Sequence, residues 1–517
     1  MLVLLTLVAC FGEPRVDPLA VVLPFDAEAV AGPTADLVGW SFEAGTRWGL
    51  AEDPVHPEWR SSARVAAVDV LAGIAQGERA PWVRLSGMNT DGRGGADGYH
   101  VDTWADARLW GERGPAADDA LAPAQALDLA ETLGAQVIVP LNLATGTPAE
   151  AASYARHLVG QDERRQSWGH AEPWTVRYYE LGDEVYDAHT TKWDGDVAAY
   201  RDLALAVVDA VLAEDPTATF LVPLTRADEQ AWGDVAAAVH TLAPLLEHPA
   251  VVGVARHHLQ VDDASALGNV NANAPTIALA SSAYFAAHQT GLADALAGLN
   301  RAEPLQTVIS AYGFAGPDVA ADFSLGRTAA AGLATADMLI GFANSDAEVV
   351  LQRTSLSWDT QEPDPLLAWD RPVRFGEGGL PLDMPSTLVT RMFAECALDQ
   401  RLDLAWQGNE SQRGGDGSDS APLFNFERIH SAGFVSDDGS QACLFILNRD
   451  LADGAILRVN VDSEWVLVQD KAWVPGDNWA TLDDPDVAVT GPGWRRFTTG
   501  MDLDLPAHAL VALHFER

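Results

Sequence analysis

The feature that most constrains the fold is a regular alternation of short, β-rich apolar runs with longer alanine-rich amphipathic stretches, from about residue 36 to residue 395. Eight of the runs predict strands, at residues 36–42, 82–87, 136–143, 177–184, 220–225, 251–258, 305–314 and 347–355. Six stretches between them predict helices, at residues 121–133, 148–159, 197–213, 232–246, 281–299 and 325–342. Eight strands that alternate with helices over about 360 residues are typical of a (β/α)8 TIM barrel with insertions. A doubly wound open sheet is the alternative, but no GxGxxG follows the first run.

The pattern changes after the barrel region. Residues 408–420 are polar and glycine-rich and predict a surface loop. The short runs beyond it, at residues 433–435, 442–448, 455–461, 465–468, 497–499 and 510–515, predict a C-terminal antiparallel β-sandwich. The apolar segment 19–25 is predicted to add a strand to that sandwich. We therefore divide the chain into a signal and linker at 1–20, an N-terminal strand at 21–35, a barrel at 36–395 and a sandwich at 396–517.

The composition excludes some partners and classes of protein. The chain has 74 Asp and Glu against 32 Lys and Arg, a net charge of −42, and no basic run interrupts this acidity. Nucleic acids and anionic lipid surfaces are therefore excluded as partners. A hydrophobic content of 48% with 17 Trp excludes a disordered or fibrous protein.

The N-terminus suggests export. Residues 1–9 are almost wholly apolar and precede Cys10, and the string LVAC at residues 7–10 resembles a bacterial lipobox, in which the cysteine is lipidated. This resemblance implies a protein that is exported and attached to the bacterial envelope or cell surface only through a lipid anchor. No basic residue precedes the apolar run, unlike in a usual signal peptide, and a true start further upstream would explain this. Cys396 and Cys443 are either buried free thiols or a disulfide, which an oxidising compartment would permit.

The fourth predicted strand ends in two carboxylates, Asp183 and Glu184, at the barrel end where active sites lie. Strand alternation predicts that only one of them faces the barrel mouth. The string TVRYYELGDEVY at 175–186 resembles the strand-four WEIGNE signature of clan A glycoside hydrolases. Segments similar to the α-L-arabinofuranosidase family follow in the right order: GWSFE at 39–43, WVRLSG at 82–87, GYHVDTW at 98–104, NLATGTPAEAA at 142–152, RHH at 256–258, FILNR at 445–449 and DLPAHA at 504–509. GWSFEA and the serine of VRLSG also resemble the β-glucuronidase and heparanase-like family of the same clan.

The resemblance assigns catalytic roles and reveals two departures. It implies that Glu184 is the general acid/base, and a retaining mechanism needs a nucleophilic carboxylate roughly 5–5.5 Å away. That position, in VISAYGF at 308–314, is Ala311. Asp183 stands where the family has the asparagine that binds the sugar 2-hydroxyl. Asp318 and Asp322 are candidates to replace the nucleophile.

The remaining candidates are predicted to bind substrate. The resemblance and the position near strand ends give this set: Glu43, Arg84, Tyr99, His100, Trp104, Asn142, Asp183, Tyr186, Trp193, His257 and Tyr312. No cofactor and no metal are predicted.

The sequence thus predicts an exported protein that binds an arabinose- or uronic-acid-containing glycan, with hydrolysis impaired at Ala311. The first alternative is an active exo-glycosidase of arabinofuranosidase or glucuronidase type, with Glu184 as acid/base and a relocated nucleophile or Asp183 as base. The second alternative is a structural envelope protein whose cleft is filled by side chains.

Overall fold

The computed structural model of the chain describes residues 20–42, 71–74, 79–85, 123–143, 146–160, 163–167, 170–183, 185, 195–224, 232, 234–260, 280–288, 291–314, 329–354, 373–375, 381–383, 385–414, 424–450, 453–462, 464–473 and 502–517. The strands in these ranges are β1 Ala20–Pro24, β2 Val30–Pro33, β3 Gly39–Phe42, β4 Trp82–Leu85, β5 Gln136–Pro140, β6 Tyr178–Glu180, β7 Phe220–Pro223, β8 Val251–Gln260, β9 Gln306–Phe314, β10 Ala347–Thr354, β11 Val373–Phe375, β12 Pro381–Asp383, β13 Gln400–Leu402, β14 Ser411–Gly414, β15 Phe424–Glu427, β16 Ile429–Val435, β17 Gln441–Asn448, β18 Ala455–Asn460, β19 Val466–Trp473, β20 Asp502–Leu505 and β21 Leu510–Glu516. The helices there are α1 Pro123–Thr132, α2 Pro148–Val159, α3 Glu163–Ser167, α4 Val197–Glu214, α5 Val235–Leu246, α6 Ser281–His288, α7 Leu292–Ala297, α8 Ala329–Ala343 and α9 Pro385–Cys396.

Strands β3 to β10 form a closed parallel barrel, which confirms the predicted fold class. Each strand pairs with the next along the chain, and β10 returns to pair with β3. Every predicted barrel run overlaps one of these strands, and β8 extends two residues beyond its predicted run. The predicted helix 281–299 is wrong as a single element, because Gly291 takes a φ of +87° and separates α6 from α7.

Two layers of side chains fill the part of the barrel interior that carries the site. The lower layer is apolar and includes Trp82 and Tyr178, whose rings stack at 5.4 Å, with Ile138 and Val308. Side chains two residues further along a strand project to the same face. The next layer towards the strand C-termini therefore receives Arg84 from β4 and Glu180 from β6, which are charged.

The sandwich consists of a six-stranded sheet, in the order β19-β21-β17-β16-β13-β2, and a three-stranded sheet, in the order β1-β18-β20. The predicted N-terminal strand forms β1, which pairs in parallel with β18 from Ala20↔Ile456 onward. Buried side chains from both sheets, among them Leu23, Leu444, Leu457 and Leu513, form one core. The predicted loop 408–420 is wrong in part, because Ser411–Gly414 finds a main-chain partner in Phe424–Glu427.

A disulfide and a buried ionic cluster connect the barrel helices to the sandwich. Cys396, at the end of α9, forms a disulfide with Cys443 of β17. Of the two predicted alternatives, free thiols or a disulfide, the structure therefore has the disulfide. Asp337 of α8 accepts hydrogen bonds from His430 of β16, at 2.7 Å, and from Arg449 Nε, at 2.6 Å. Within the described ranges, no helix is both long enough and apolar enough to cross a bilayer.

Candidate active site

Strands β4 and β6, with the turn that follows β6, bring one cation and two carboxylates together in the barrel interior. Arg84 Nε donates to Glu180 Oε2 at 2.5 Å, and Arg84 Nη2 donates to Asp183 Oδ1 at 2.5 Å. Its third donor, Nη1, lies 3.1 Å from the hydroxyl oxygen of Ser41 on β3. Arg84, Glu180 and Asp183 are all buried. Charges buried this deeply need their partners, so these contacts form one unit.

The electrostatics of Arg84 depend on both carboxylates. Burial alone lowers the pKa of Arg84, because the guanidinium loses its hydration. The negative charges of Asp183 and Glu180, with the hydrogen bonds to both, outweigh burial and raise the pKa of Arg84 above its ordinary value. The guanidinium is therefore charged at any physiological pH, and two carboxylates share its single positive charge.

A left-handed glycine brings Asp183 to this unit. From Glu180, regular alternation would point residue 183 away from the interior. The strand ends at Glu180, however, and Gly182 follows with a φ of +99°, which turns the chain so that Asp183 reaches Arg84. A Cβ at residue 182 would lie 2.3 Å from Cγ1 of Val185. Only glycine satisfies both the dihedral angle and the space at this turn.

Helix α4 supports the same turn from outside. The hydroxyl of Tyr200 donates to the carbonyl of Leu181 at 2.7 Å. Burial, and secondarily the charge of Glu180, raise the pKa of Tyr200 well above its ordinary value, so the phenol remains a donor. Tyr200 is completely buried, which gives the turn a rigid support.

A bulge in β9 determines what faces the interior beside β8. Arg256 pairs with Ile309, but the next residue of β8, His257, pairs with Ala311, so Ser310 is the inserted residue. Paired residues on neighbouring strands project to the same face. Ala311 and His257 therefore face the interior together.

These residues adjoin the Arg84 unit. His257 Nε2 lies 3.6 Å from Asp183 Oδ1, and the Ser310 hydroxyl lies 3.4 Å from Glu180 Oε1. Ala311 is 3% exposed, and its methyl group is the whole side chain that β9 offers at this point. The site thus combines two carboxylates, one guanidinium, one imidazole and a methyl group.

The structure brings four of the predicted residues together, namely Arg84, Asp183, His257 and Ala311. Asn142 is buried just after β5. Tyr312 does not join this cluster: its ring packs 5.4 Å from that of Phe342 of α8, because the residue after Ala311 projects to the outside of the barrel. The other predicted residues lie outside the described ranges: Cys10, Glu43, Tyr99, His100, Trp104, Glu184, Tyr186, Trp193, Asp318 and Asp322.

Sequence reasoning missed Glu180, Ser41 and Ser310. A signal for Glu180 was present, because a lone carboxylate that alternates with the apolar residues of a barrel strand must be paired inside the barrel. Ser41 and Ser310 carried no such signal.

The donor atoms of Glu180, Asp183 and His257 lie within 4.8 Å of one another, a spacing that a metal ion could bridge. The guanidinium of Arg84 already contacts both carboxylates. This buried cation offsets one of the two negative charges and occupies both carboxylates, which weakens their attraction for a second cation.

Comparison with solved structures identifies the fold. No protein-family model and no curated protein sequence matches the chain. Among solved structures, a family 51 α-L-arabinofuranosidase from Bifidobacterium longum has a TM-score of 0.73 at 15% identity, over 97% of this chain and 100% of that one. The fold is that of the family 51 α-L-arabinofuranosidases.

Two further structures agree with this assignment. The arabinofuranosidase from Xanthomonas axonopodis pv. citri has a TM-score of 0.70 at 16% identity, over 96% of this chain and 100% of that one. The α-L-arabinofuranosidase from Thermotoga maritima, solved as an arabinose complex, has a TM-score of 0.69 at 13% identity with the same coverage. A fold of this kind supports many reactions, so function has to be argued from the site residues.

Proposed function

We propose that this chain is an exported, glycoside-hydrolase-like protein that binds an arabinose- or uronic-acid-containing glycan at the barrel mouth, with impaired hydrolysis. The proposal rests on Ala311, which faces the interior beside His257 and which, by the sequence resemblance, stands where the family has its nucleophile. A retaining glycosidase forms an ester between that nucleophile and the anomeric carbon. A methyl group forms no such ester.

The described carboxylates offer no ready substitute. Glu180 is 0% exposed and hydrogen-bonded to Arg84, so it is held by that ion pair and not presented to solvent as a nucleophile. Asp183 is bonded to the same guanidinium. A carboxylate that pairs with a buried cation is a weaker nucleophile, because attack would require it to give up that stabilisation.

One contact favours the alternative, an active exo-glycosidase. Asp183 Oδ1 lies 3.6 Å from His257 Nε2, and a carboxylate beside an imidazole can act as a base towards water. An inverting enzyme would use Asp183 in this way, with Glu184 as the acid.

Binding and turnover distinguish the two functions. Isothermal titration should show saturable binding of one of two classes of ligand, arabino-oligosaccharides or glucuronic-acid-containing oligosaccharides. The affinity for that class should fall in His257→Ala. Aryl α-L-arabinofuranosides should show little or no turnover. Robust wild-type turnover that Glu184→Gln abolishes would refute impaired hydrolysis, and its loss in Asp183→Asn would then identify Asp183 as the base. A protein that binds none of these glycans would refute the proposal and favour a structural role.

Export and lipid attachment form a separate part of the proposal. The LVAC string at residues 7–10 supports it, as does the Cys396–Cys443 disulfide, a bond typical of oxidising compartments. Metabolic labelling with a palmitate analogue should mark the wild type and not Cys10→Ser. Equal labelling of the two would remove the anchor from the proposal.

A further inference from the structure

A second group of charged side chains lies outside the barrel interior, between α1 and the segment that leads into β6. Asp128 and Glu131 are three residues apart on α1 and so lie on the same face of that helix. His170 approaches them from the other segment: its Nε2 is 3.1 Å from Glu131 Oε2 and 3.8 Å from Asp128 Oδ1. The donor atoms of all three side chains lie within 4.8 Å of one another.

The orientation of the imidazole is set by its other nitrogen. His170 Nδ1 lies 2.6 Å from the backbone carbonyl oxygen of Glu172, which can only accept a hydrogen bond. Nδ1 therefore carries the hydrogen, and in the neutral ring the lone pair of Nε2 points to the two carboxylates. A metal-bound histidine typically has this arrangement, in which a carbonyl fixes the tautomer and the ring direction.

The buried Trp174 stabilises the same geometry. The His170 ring stacks on the Trp174 ring with centroids 4.2 Å apart and an angle of 23° between the planes. The indole Nε1 of Trp174 lies 3.4 Å from Asp128 Oδ1. One buried side chain thus supports both the imidazole and a carboxylate, so two of the three donors are prearranged.

Two carboxylates approach the same ring nitrogen, and either a proton on Nε2 or a metal ion balances their charge; a single N–H points to one oxygen, whereas one ion contacts both carboxylates. From this arrangement we propose that Asp128, Glu131 and His170 bind one divalent transition-metal ion, with Zn²⁺ as the best match. Zinc takes imidazole nitrogen and carboxylate oxygen at about 2.0–2.2 Å, and donor atoms at those distances from one ion are separated by about 3–4 Å. The side chain of His170 is 21% exposed, which leaves room for water as a further ligand.

The proposed site differs from the barrel group in one decisive respect. In the barrel, the guanidinium of Arg84 contacts both carboxylates. Within the described residues, the contacts at Asp128 and Glu131 include no arginine or lysine. The metal site is independent of the proposed glycan binding, because it lies on a different part of the fold.

The test is zinc titration of the full chain without a histidine tag after treatment with a chelator. Isothermal titration should give one saturable site per chain, and zinc should raise the melting temperature. His170→Gln should abolish this site, and Glu131→Gln should weaken it at least about tenfold.

Two controls separate the site from general attraction to an acidic surface. Glu172 contributes only its backbone carbonyl, so Glu172→Gln, which removes a nearby charge, should bind zinc like the wild type. His240→Gln removes an exposed histidine on α5 and should also have no effect. The melting temperature without zinc shows whether each variant is folded. Absence of a saturable site, or equal loss in Glu172→Gln and His170→Gln, would overturn the proposal and leave a protonated His170 as the positive charge.

Discussion

At the scale of single residues, the charge balance around Arg84 decides what the site tolerates. Ala311→Glu would add a third carboxylate beside a guanidinium that already has two partners. We expect the variant to lose about 2–4 kcal/mol of stability, as for other unpaired buried charges. Asp183→Asn in the same chain removes one carboxylate and should restore at least about 1 kcal/mol, a coupling typical of neighbouring residues.

Urea denaturation of the four proteins in this double-mutant cycle measures the coupling. Hydrolysis of aryl α-L-arabinofuranosides should rise in Ala311→Glu and rise further in the double variant, because an amide at residue 183 can donate to a sugar hydroxyl. Strictly additive stability changes would show that positions 311 and 183 do not share one electrostatic environment.

Gly182 gives a second prediction at this scale. Gly182→Ala should cost about 1–3 kcal/mol for the left-handed backbone, and more for the contact with Val185. Gly291→Ala is the matched control, because Gly291 also has a positive φ but has nothing within 4 Å of the added Cβ. Glycan affinity should fall only in Gly182→Ala, which displaces Asp183. An equal loss of stability in the two variants would mean that the turn imposes no special packing requirement.

At the scale of elements, α8 is attached to the sandwich by Asp337. Its carboxylate is completely buried and also accepts a hydrogen bond from the backbone N–H of Ser282 at 2.6 Å. Asp337→Asn leaves the buried Arg449 without its counter-ion and should cost about 3–5 kcal/mol. Chemical denaturation measures this loss, with the exposed Asp209→Asn on α4 as a control that should change stability by less than about 0.5 kcal/mol. A similarly small change in Asp337→Asn would exclude this attachment as a source of stability.

At the scale of the whole molecule, the same cluster should make the barrel–sandwich junction sensitive to acid. Burial, together with the charge of Arg449, lowers the pKa of His430 from 6.5 to about 4, so this imidazole is neutral in the folded protein at neutral pH. Burial opposes ionisation of Asp337, but Arg449 and His430 lower its pKa to about 2. Both folded-state values are depressed, so the unfolded chain binds protons first as the pH falls.

Stability should therefore decrease from pH 6.5 to about 4 through His430, and again from about pH 3.8 to 2 through Asp337. The urea midpoint as a function of pH measures both steps. His430→Gln should flatten the first step and make the second smaller, because His430 no longer helps to lower the pKa of Asp337. If the urea midpoint of His430→Gln falls between pH 6.5 and 4 as steeply as that of the wild type, His430 does not govern the acid sensitivity.

Much of the architecture was predictable, because hydrophobic periodicity identifies strands and helices and the strand ends identify the mouth. The details of the site were not. Alternation along a strand assumes a regular backbone, and it fails at the left-handed Gly182 and at the bulge at Ser310. These two irregularities bring Asp183 to Arg84 and Ala311 to the interior, and they leave Tyr312 on the outside. Both depend on tertiary contacts that no local pattern encodes.

The parallel pairing of β1 with β18 has a consequence for the order of folding. Ala20 is made before the entire barrel, and its partner Ile456 is made only after it. A ribosome or a translocation channel therefore delivers an apolar strand long before its sheet exists. The sandwich is completed after the barrel, although its strand β1 precedes the barrel in the chain. A nascent chain interrupted anywhere before residue 455 would expose β1 as an unpaired apolar edge, which is the kind of segment that chaperones cover and that aggregates when they do not.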